Sequence, residues 1–501
     1  MRKFAVLILS AALLTPLTFA AIALAGDILG FTEEVSPPAQ LNATEPSVAV
    51  DRSDGTIYVA WQATGSKFAR SVDGGRTYVQ RPIAPSDPFG RDLGDVHVRV
   101  GGPTPCSVPV PNRCTPGAHR VYVTSLERLP FILQAQLAFS DNRGDNWTVN
   151  KVAAINPSLI DRPWMAVFPS KVSAAMDRLY ISYHDFSASQ INVAASNDGG
   201  ATFGPSIDVL AQNGLAFANS FCNTVPSDIE VDPQTGEVYV QWITSDLVAN
   251  TTEGCNISQI QDFHQVWVAH SPPASETGPA LTTWINDAHL VFDGGPGTNT
   301  DEIFATLAVD DSGVPGTHGN VYSVFPDNLA GAQIFDIWFT HSGDKGVTWS
   351  SPVKVNNDKG THYFPWIAAG STGRVDFIWL NSPDFTPTDA EQSPWFVTFA
   401  QTTNGNTATP KFQQTAASSS VMHVGGICTN GLFCDLVSGG NRDLADSISI
   451  AINRGGSAAL VWTDQGRVLN GPTHITYACV PAGMPAYAGA NSGLSCKGPG
   501  S

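Results

Sequence analysis

Short runs of apolar residues alternate with turns along most of this chain, and the runs come in sets. Each set opens with an alternating run and turns at Gly or Asp. A second run, rich in β-branched and aromatic residues, then often ends in Trp, as expected for strands buried on one or both faces. The first set is Pro46–Val50, Ile57–Trp61 and Phe68–Arg70; the second is Val96–Val100, Val121–Val123 and Ala135–Phe139. The third has Trp164–Val167, Leu179–Tyr183 and Ile191–Ala195, and the fourth Ile229–Val231, Val238–Trp242 and Val266–Val268. Phe304–Val309, Val321–Phe325 and Ile337–Phe339 make the fifth, and Phe364–Ala368, Val375–Trp379 and Trp395–Phe399 the sixth. Ile448–Ala451, Ala459–Trp462 and Ile475–Tyr477 make a seventh that has no further run after it.

Four sets end in one octapeptide pattern, S-x-D-x-G-x-T-aromatic. The copies begin at Ser71 (with Asp73 and Gly75), at Ser196 (with Asp198 and Gly200) and at Ser342 (with Asp344, Gly346 and Trp349). A variant beginning at Ser140 carries Asn142, Gly144 and Trp147. These residue types suit a hairpin turn: Ser and Asp side chains bond the loop backbone, Gly takes a positive φ, and the aromatic covers the turn. The octapeptides resemble the Asp-boxes, or BNR repeats, of sialidases and related β-propellers. The resemblance implies an all-β propeller of four-stranded blades, with the box joining the third and fourth strands on the face away from the active site. It implies fold more firmly than function. Ser271, Gly278, Thr283 and Trp284 read as a worn copy in unit four, and Asn404-Gly405-Asn406 as a degraded one in unit six. Seven blades are favoured, with six as the alternative. Ile28–Val35 is expected to supply the missing outer strand and close the ring, which removes exposed sheet edges.

Arg2 and Lys3 precede an apolar run ending in Ala23-Leu24-Ala25, which reads as a cleaved signal peptide over 1–25. The propeller then spans 26–485 and a Gly/Ser-rich tail 486–501. The mature protein is expected to be secreted, extracellular or periplasmic, with no integral membrane association after cleavage. Eight cysteines in an exported chain suggest four disulfides. Sequence neighbours propose Cys106 with Cys114, Cys222 with Cys255, Cys428 with Cys434, and Cys479 with Cys496, the connectivity staying open. A formal net charge of −18 would repel phosphate backbones, which argues against nucleic acid as a partner.

In this fold the residues leading into first strands, and the loops between second and third strands, form the top face. The long insertions Thr244–Phe263 and Val424–Asp446 fall there, and elaborated loops on one face are where repeat proteins bind. The residues leading into first strands are Glu45, Asp95, Asp161, Arg162, Asp228, Asp301, Glu302, His362, Tyr363 and Asp446. The ends of second strands add Tyr183, His184, Asp185, Trp242, Asp327, Trp379 and Asp464. Together they predict an acidic, aromatic-edged funnel suited to sugars, with rings stacking and carboxylates bonding hydroxyls. Taken singly, each acid is equally a turn former and each Trp an inter-blade packing residue. No cofactor is required. An acidic funnel also suits a cation such as Ca²⁺, although no EF-hand-like loop is present.

Sialidases hold the substrate carboxylate with three arginines, because guanidinium forks match it bidentately. An Asp serves as acid/base, and a Glu activates a Tyr nucleophile. This chain lacks the Phe/Tyr-Arg-Ile-Pro motif, and no arginine lies between Arg178 and Arg374. Topology alone nominates Asp95, Asp161, Glu302 and Tyr363 as catalytic candidates. Glu45, Arg162, His184, Asp185, Asp228, Asp301, His362 and Asp446 are ligand-binding candidates. Two carboxylates at a suitable separation would serve ordinary glycoside hydrolysis. The expectation is therefore a sialidase-like propeller that binds or hydrolyses extracellular glycans or glycoproteins. The alternative is a non-catalytic platform for protein or cell-surface binding.

Overall fold

The structure is a computed structural model. It describes the chain except 1–30, 82, 84–90, 107–112, 130–131, 155–158, 186–189, 211–212, 221–223, 247–262, 274–286, 301–304, 311–318, 330–333, 384–392, 430–440, 454–455, 468–469, 482–495 and 497–501. The expected signal peptide, nearly all of the tail, Asp301, Glu302 and the Cys222–Cys255 pair lie outside the described residues.

Seven antiparallel sheets form a ring. Blades one to six each take their four main strands in chain order, and in blade six a short segment, His423–Val424, also pairs with the third strand. Blade seven consists of Ser449–Ile452, Ala458–Asp464 and His474–Val480, and its outer strand is Phe31–Glu34, in register from Phe31 opposite Cys479 to Glu34 opposite Thr476. The ring therefore has seven blades and closes through its N-terminal strand, as the repeat count implies.

The second strands are buried on both faces; Val238–Thr244, for example, shows no partly exposed residue. Their side chains fill the spaces between adjacent blades, so the core is a series of inter-blade layers. Trp61 and Trp379 lie in these layers, and Trp242 and Trp462 in a larger cluster continuous with the axis, all at most 1 % exposed.

The first strands line the axis, and most share one irregularity. The register shifts between Thr44 and Ser47, Gly94 and His97, Asp161 and Trp164, Pro226 and Asp228, and Tyr363 and Trp366. Glu45, Asp95, Arg162 and Phe364 sit within these bulges at φ of 49 to 56°. Such bulges re-aim side chains. After each bulge, a side chain reaches the neighbouring blade. Ser449 accepts from Val48 N–H (3.3 Å), Ser47 from Val98 N–H (3.1 Å), His97 Nδ1 from Met165 N–H (2.9 Å) and Asp228 from Leu307 N–H (3.0 Å). In blades three and six the same position holds Trp164 and Trp366, whose rings meet edge to face at 5.3 Å. These two buried rings fill the middle of the axis.

At the opposite end, the four octapeptides form third-to-fourth-strand turns with one hydrogen-bond pattern. Ser342 Oγ donates to Asp344 (2.7 Å) and accepts from Gly346 N–H (2.8 Å), while Thr348 donates to Asp344 through N–H (2.9 Å) and Oγ1 (2.6 Å). Against the upward pull of partial burial, these hydrogen bonds hold the Asp344 carboxyl below its ordinary value. The same bonds recur from Ser71 and Asp73 and from Ser196 and Asp198, and Ser140 and Asn142 keep the Ser-to-Asn and Gly N–H bonds. The degraded turn of blade six retains part of the pattern, with Thr402 Oγ1 donating to Asn404 Oδ1 (3.0 Å). In blade four Ser271 still accepts from Val238 N–H (2.9 Å), and the rest of its worn octapeptide lies outside the described residues.

Candidate functional site

Blades seven, one, two and three are consecutive in the ring, and the bulges of blades one to three, with the loop leading into the first strand of blade seven, turn four acids and an arginine toward one point at the top of the axis. Arg162 sits at the centre. Its guanidinium donates to the Asp446 carboxylate and lies 3.7 Å from Glu45 and 3.6 Å from Asp95. Arg442, on the loop before Asp446, donates to the same carboxylate at 2.8 Å. Asp446 N–H donates to Glu45 (3.2 Å), Asp161 accepts from Arg162 N–H (3.0 Å), and Asp95 lies close enough to Asp161 to act on it electrostatically. The cluster reaches solvent at its edge, where Asp95 and Arg442 retain 14 % and 16 % side-chain exposure.

Electrostatics separates Glu45 and Asp161 from Asp446. Burial, reinforced by Asp95 and Asp446, pushes Glu45 up to about 8. Burial and then the Asp95 charge push Asp161 up to about 8. Asp446 is buried too, but Arg162 and Arg442 together hold it below the usual carboxylate range. At neutral pH the cluster thus carries protons on Glu45 and Asp161 beside an ionised Asp446, the kind of divergence found at functional sites. Among the described residues, Glu45 Oε2, Asp446 Oδ1 and Arg442 Nη1 are buried without a hydrogen-bond partner.

The other candidates fall elsewhere. Tyr363 is 1 % exposed and packed between Phe335 (5.4 Å) and Trp395 (5.2 Å), so burial among rings makes it a core residue and not a nucleophile. His362 is fully buried, bonded to Asp358 (3.1 Å) and to the Phe335 carbonyl (2.9 Å). Asp228 is spent on Ile229 and Leu307 N–H groups as an inter-blade staple. His184 lies opposite Asp161 in the sheet, where burial pushes it down to about 4, and the half-buried Asp185 ends the same strand. The expected aromatic edge is absent among the described residues: Tyr183, Trp242 and Trp379 are no more than 1 % exposed, because second-strand ends pack between blades. Arg442 was missed by the sequence reading, although it lies four residues before Asp446 inside a long top-face insertion.

Cys106–Cys114 and Cys479–Cys496 are disulfides, and Cys428 is disulfide-bonded; Cys434, its expected partner, lies outside the described residues. Among the described residues no helix is long and apolar enough to cross a membrane. The axis also has a cavity of about 600 Å³ at its lower end, beneath Trp366 and lined by the first-strand ends of all seven blades. Arg99 and Glu230 pair there at 2.8 Å. Nothing in the sequence pattern pointed to it.

No family model matches the chain, and no curated protein matches it. Solved structures with a related architecture include the GH93 α-L-arabinofuranosidase of Fusarium graminearum in complex with arabinobiose. It is 12 % identical with a TM-score of 0.40, over 70 % of this chain and 92 % of that one. The Penicillium chrysogenum α-L-arabinanase complexed with arabinobiose is 10 % identical with a TM-score of 0.40, over 90 % and 98 %. YCF48 bound to D1 peptide is 10 % identical with a TM-score of 0.42, over 92 % and 97 %. Likeness at these values carries no argument about this chain, and its function has to be read from its own residues.

Proposed function

We propose that the chain is an exported, sialidase-like β-propeller that binds extracellular glycans at the top of its axis. The observation that carries this is the set of partnerless buried polar atoms on Glu45, Asp446 and Arg442. Buried polar groups are rarely left unpaired. A sugar hydroxyl can donate to a carboxylate oxygen and accept from a guanidinium at once, which suits this mixed set. Four acids surround two guanidiniums here, an excess that disfavours acidic sugars relative to neutral ones. The sequence pattern of export and the disulfides fit an oxidising, extracellular setting.

Cleavage is a second reading, favoured by Asp161, whose raised carboxyl has the character of a general acid at neutral pH. Two-carboxylate glycoside hydrolysis needs a partner carboxylate at roughly 5–5.5 Å or 6.5–9.5 Å, and Glu302, another nominated acid, lies outside the described residues. Ca²⁺ remains a proposal for this funnel, in which the two arginines offset only part of the acidic charge. The deciding experiment is calorimetric titration with neutral polysaccharides and sialosides, with product analysis in parallel. Binding of a neutral glycan that weakens at least tenfold in Arg442→Ala supports the reading. Absence of binding to every glycan overturns it in favour of a protein-binding platform.

A further inference from the structure

Far from the axis, on blade four, three metal-ligating side chains share one sheet face. His270 ends the third strand, Gln265–His270, and Asp287 immediately precedes the fourth, Ala288–Asp293, which contains His289. Val268 lies opposite His289 and Ala269 opposite Ala288, so continuing the register places Asp287 opposite His270. Alternate residues share a face, which puts all three side chains on one side at direct and diagonal cross-strand spacing. Their ligand atoms all lie within 4.8 Å of one another. His270 Nε2 is 2.5 Å from one Asp287 oxygen and His289 Nε2 is 2.7 Å from the other.

The hydrogen bonds of His270 indicate what belongs between them. Its Nδ1 faces the Ser271 carbonyl at 3.3 Å while its Nε2 faces Asp287. Nε2 is therefore the nitrogen that points into the cluster. Nδ1 is left to a backbone carbonyl, the outer contact that orients metal-bound histidines. Tetrahedral Zn²⁺ with bonds of about 2.1 Å spaces its ligands roughly 3.4 Å apart, within side-chain adjustment of the observed arrangement.

We propose that His270, Asp287 and His289 bind a divalent transition metal of the Zn²⁺ class, with solvent in the fourth position. Two imidazoles and one carboxylate select such an ion over Ca²⁺ or Mg²⁺, which require oxygen donors. The ion would fasten the outer strand of blade four where only Ser271 of the octapeptide turn is seen to make its bond. The test is calorimetric titration of chelator-treated full-length protein with Zn²⁺ near pH 7.5, with Co²⁺ absorption as a second readout. Wild type should bind one ion per chain at micromolar concentration or tighter and gain thermal stability with it. His289 is 28 % exposed, so His289→Ala should stay folded, bind at least tenfold more weakly and lose the tetrahedral Co²⁺ bands. Either no uptake by folded wild type or undiminished binding by a folded H270A/H289A double variant overturns the proposal.

Discussion

The Arg162 guanidinium, carried by blade three, reaches across the mouth of the axis to the Asp446 carboxylate of blade seven. Blades one and two separate these partners along the ring, so the pair braces four consecutive blades. Replacing Arg162 with Met leaves Glu45, Asp95, Asp161 and Asp446 to share Arg442. Breaking a buried pair from one side typically costs about 3–5 kcal/mol. Urea unfolding should show a loss of that size, and a loss below about 1 kcal/mol would mean that the brace does not hold the ring.

Stability should fall as pH rises through neutrality. Glu45 and Asp161 are each raised to about 8 from ordinary values of 4.5 and 3.8. Between those limits the folded state binds more protons than the unfolded one, so their contribution is complete below the unfolded values and is lost on approach to pH 8. Asp446, lowered in the folded state, acts in the opposite sense, and only as pH drops toward and below its ordinary value of 3.8. Urea midpoints between pH 5 and 8.5 should decline, and Glu45→Gln should flatten the decline. An unchanged slope in that variant would contradict the assignment.

Glycine is required in the octapeptide turns for two reasons that one comparison separates. Gly75 has φ +94° and a Cβ there would run into the Tyr477 ring of blade seven, whereas Gly466 has φ +68° and open space around it. Gly466→Ala should cost about 1–2 kcal/mol from backbone strain alone. Gly75→Ala should cost more, through the added clash. Equal losses, read by thermal unfolding, would show that the turn does not press on the neighbouring blade.

Trp366→Ala would hollow out the middle of the axis. Truncating a buried Trp typically costs about 3–5 kcal/mol, and here it would also enlarge the lower cavity that Trp366 lines. A urea midpoint close to wild type would show that Trp164 alone fills the axis.

Much of the architecture could be read from the chain because turns have strict local demands. Ser342, Asp344 and Gly346 satisfy one another within eight residues, and their spacing survives wherever the turn does. The site was legible only in part. Glu45, Asp95, Asp161, Arg162 and Asp446 share a position in the repeat, so topology alone could gather them. Which position-mates join was not legible: Asp228 stands at the same bulge, yet its register aims it at Leu307 N–H. Tyr363 and Trp379 mislead for a related reason, since strand ends in a propeller are hidden by the next blade. His270, Asp287 and His289 lie at the two sides of the worn octapeptide segment of blade four, and only cross-strand register brings them together.

The pairing of Phe31–Glu34 with His474–Val480 also orders events in time. A chain synthesised or exported from its N-terminus holds that first strand unpaired until the last blade has emerged. Closing so long a loop is entropically slow, and non-local pairing of this kind lowers folding rates. Blades one to six can assemble on their own strands, but the seam forms last. A protease acting during synthesis would meet an open ring, and one acting afterwards a sealed one.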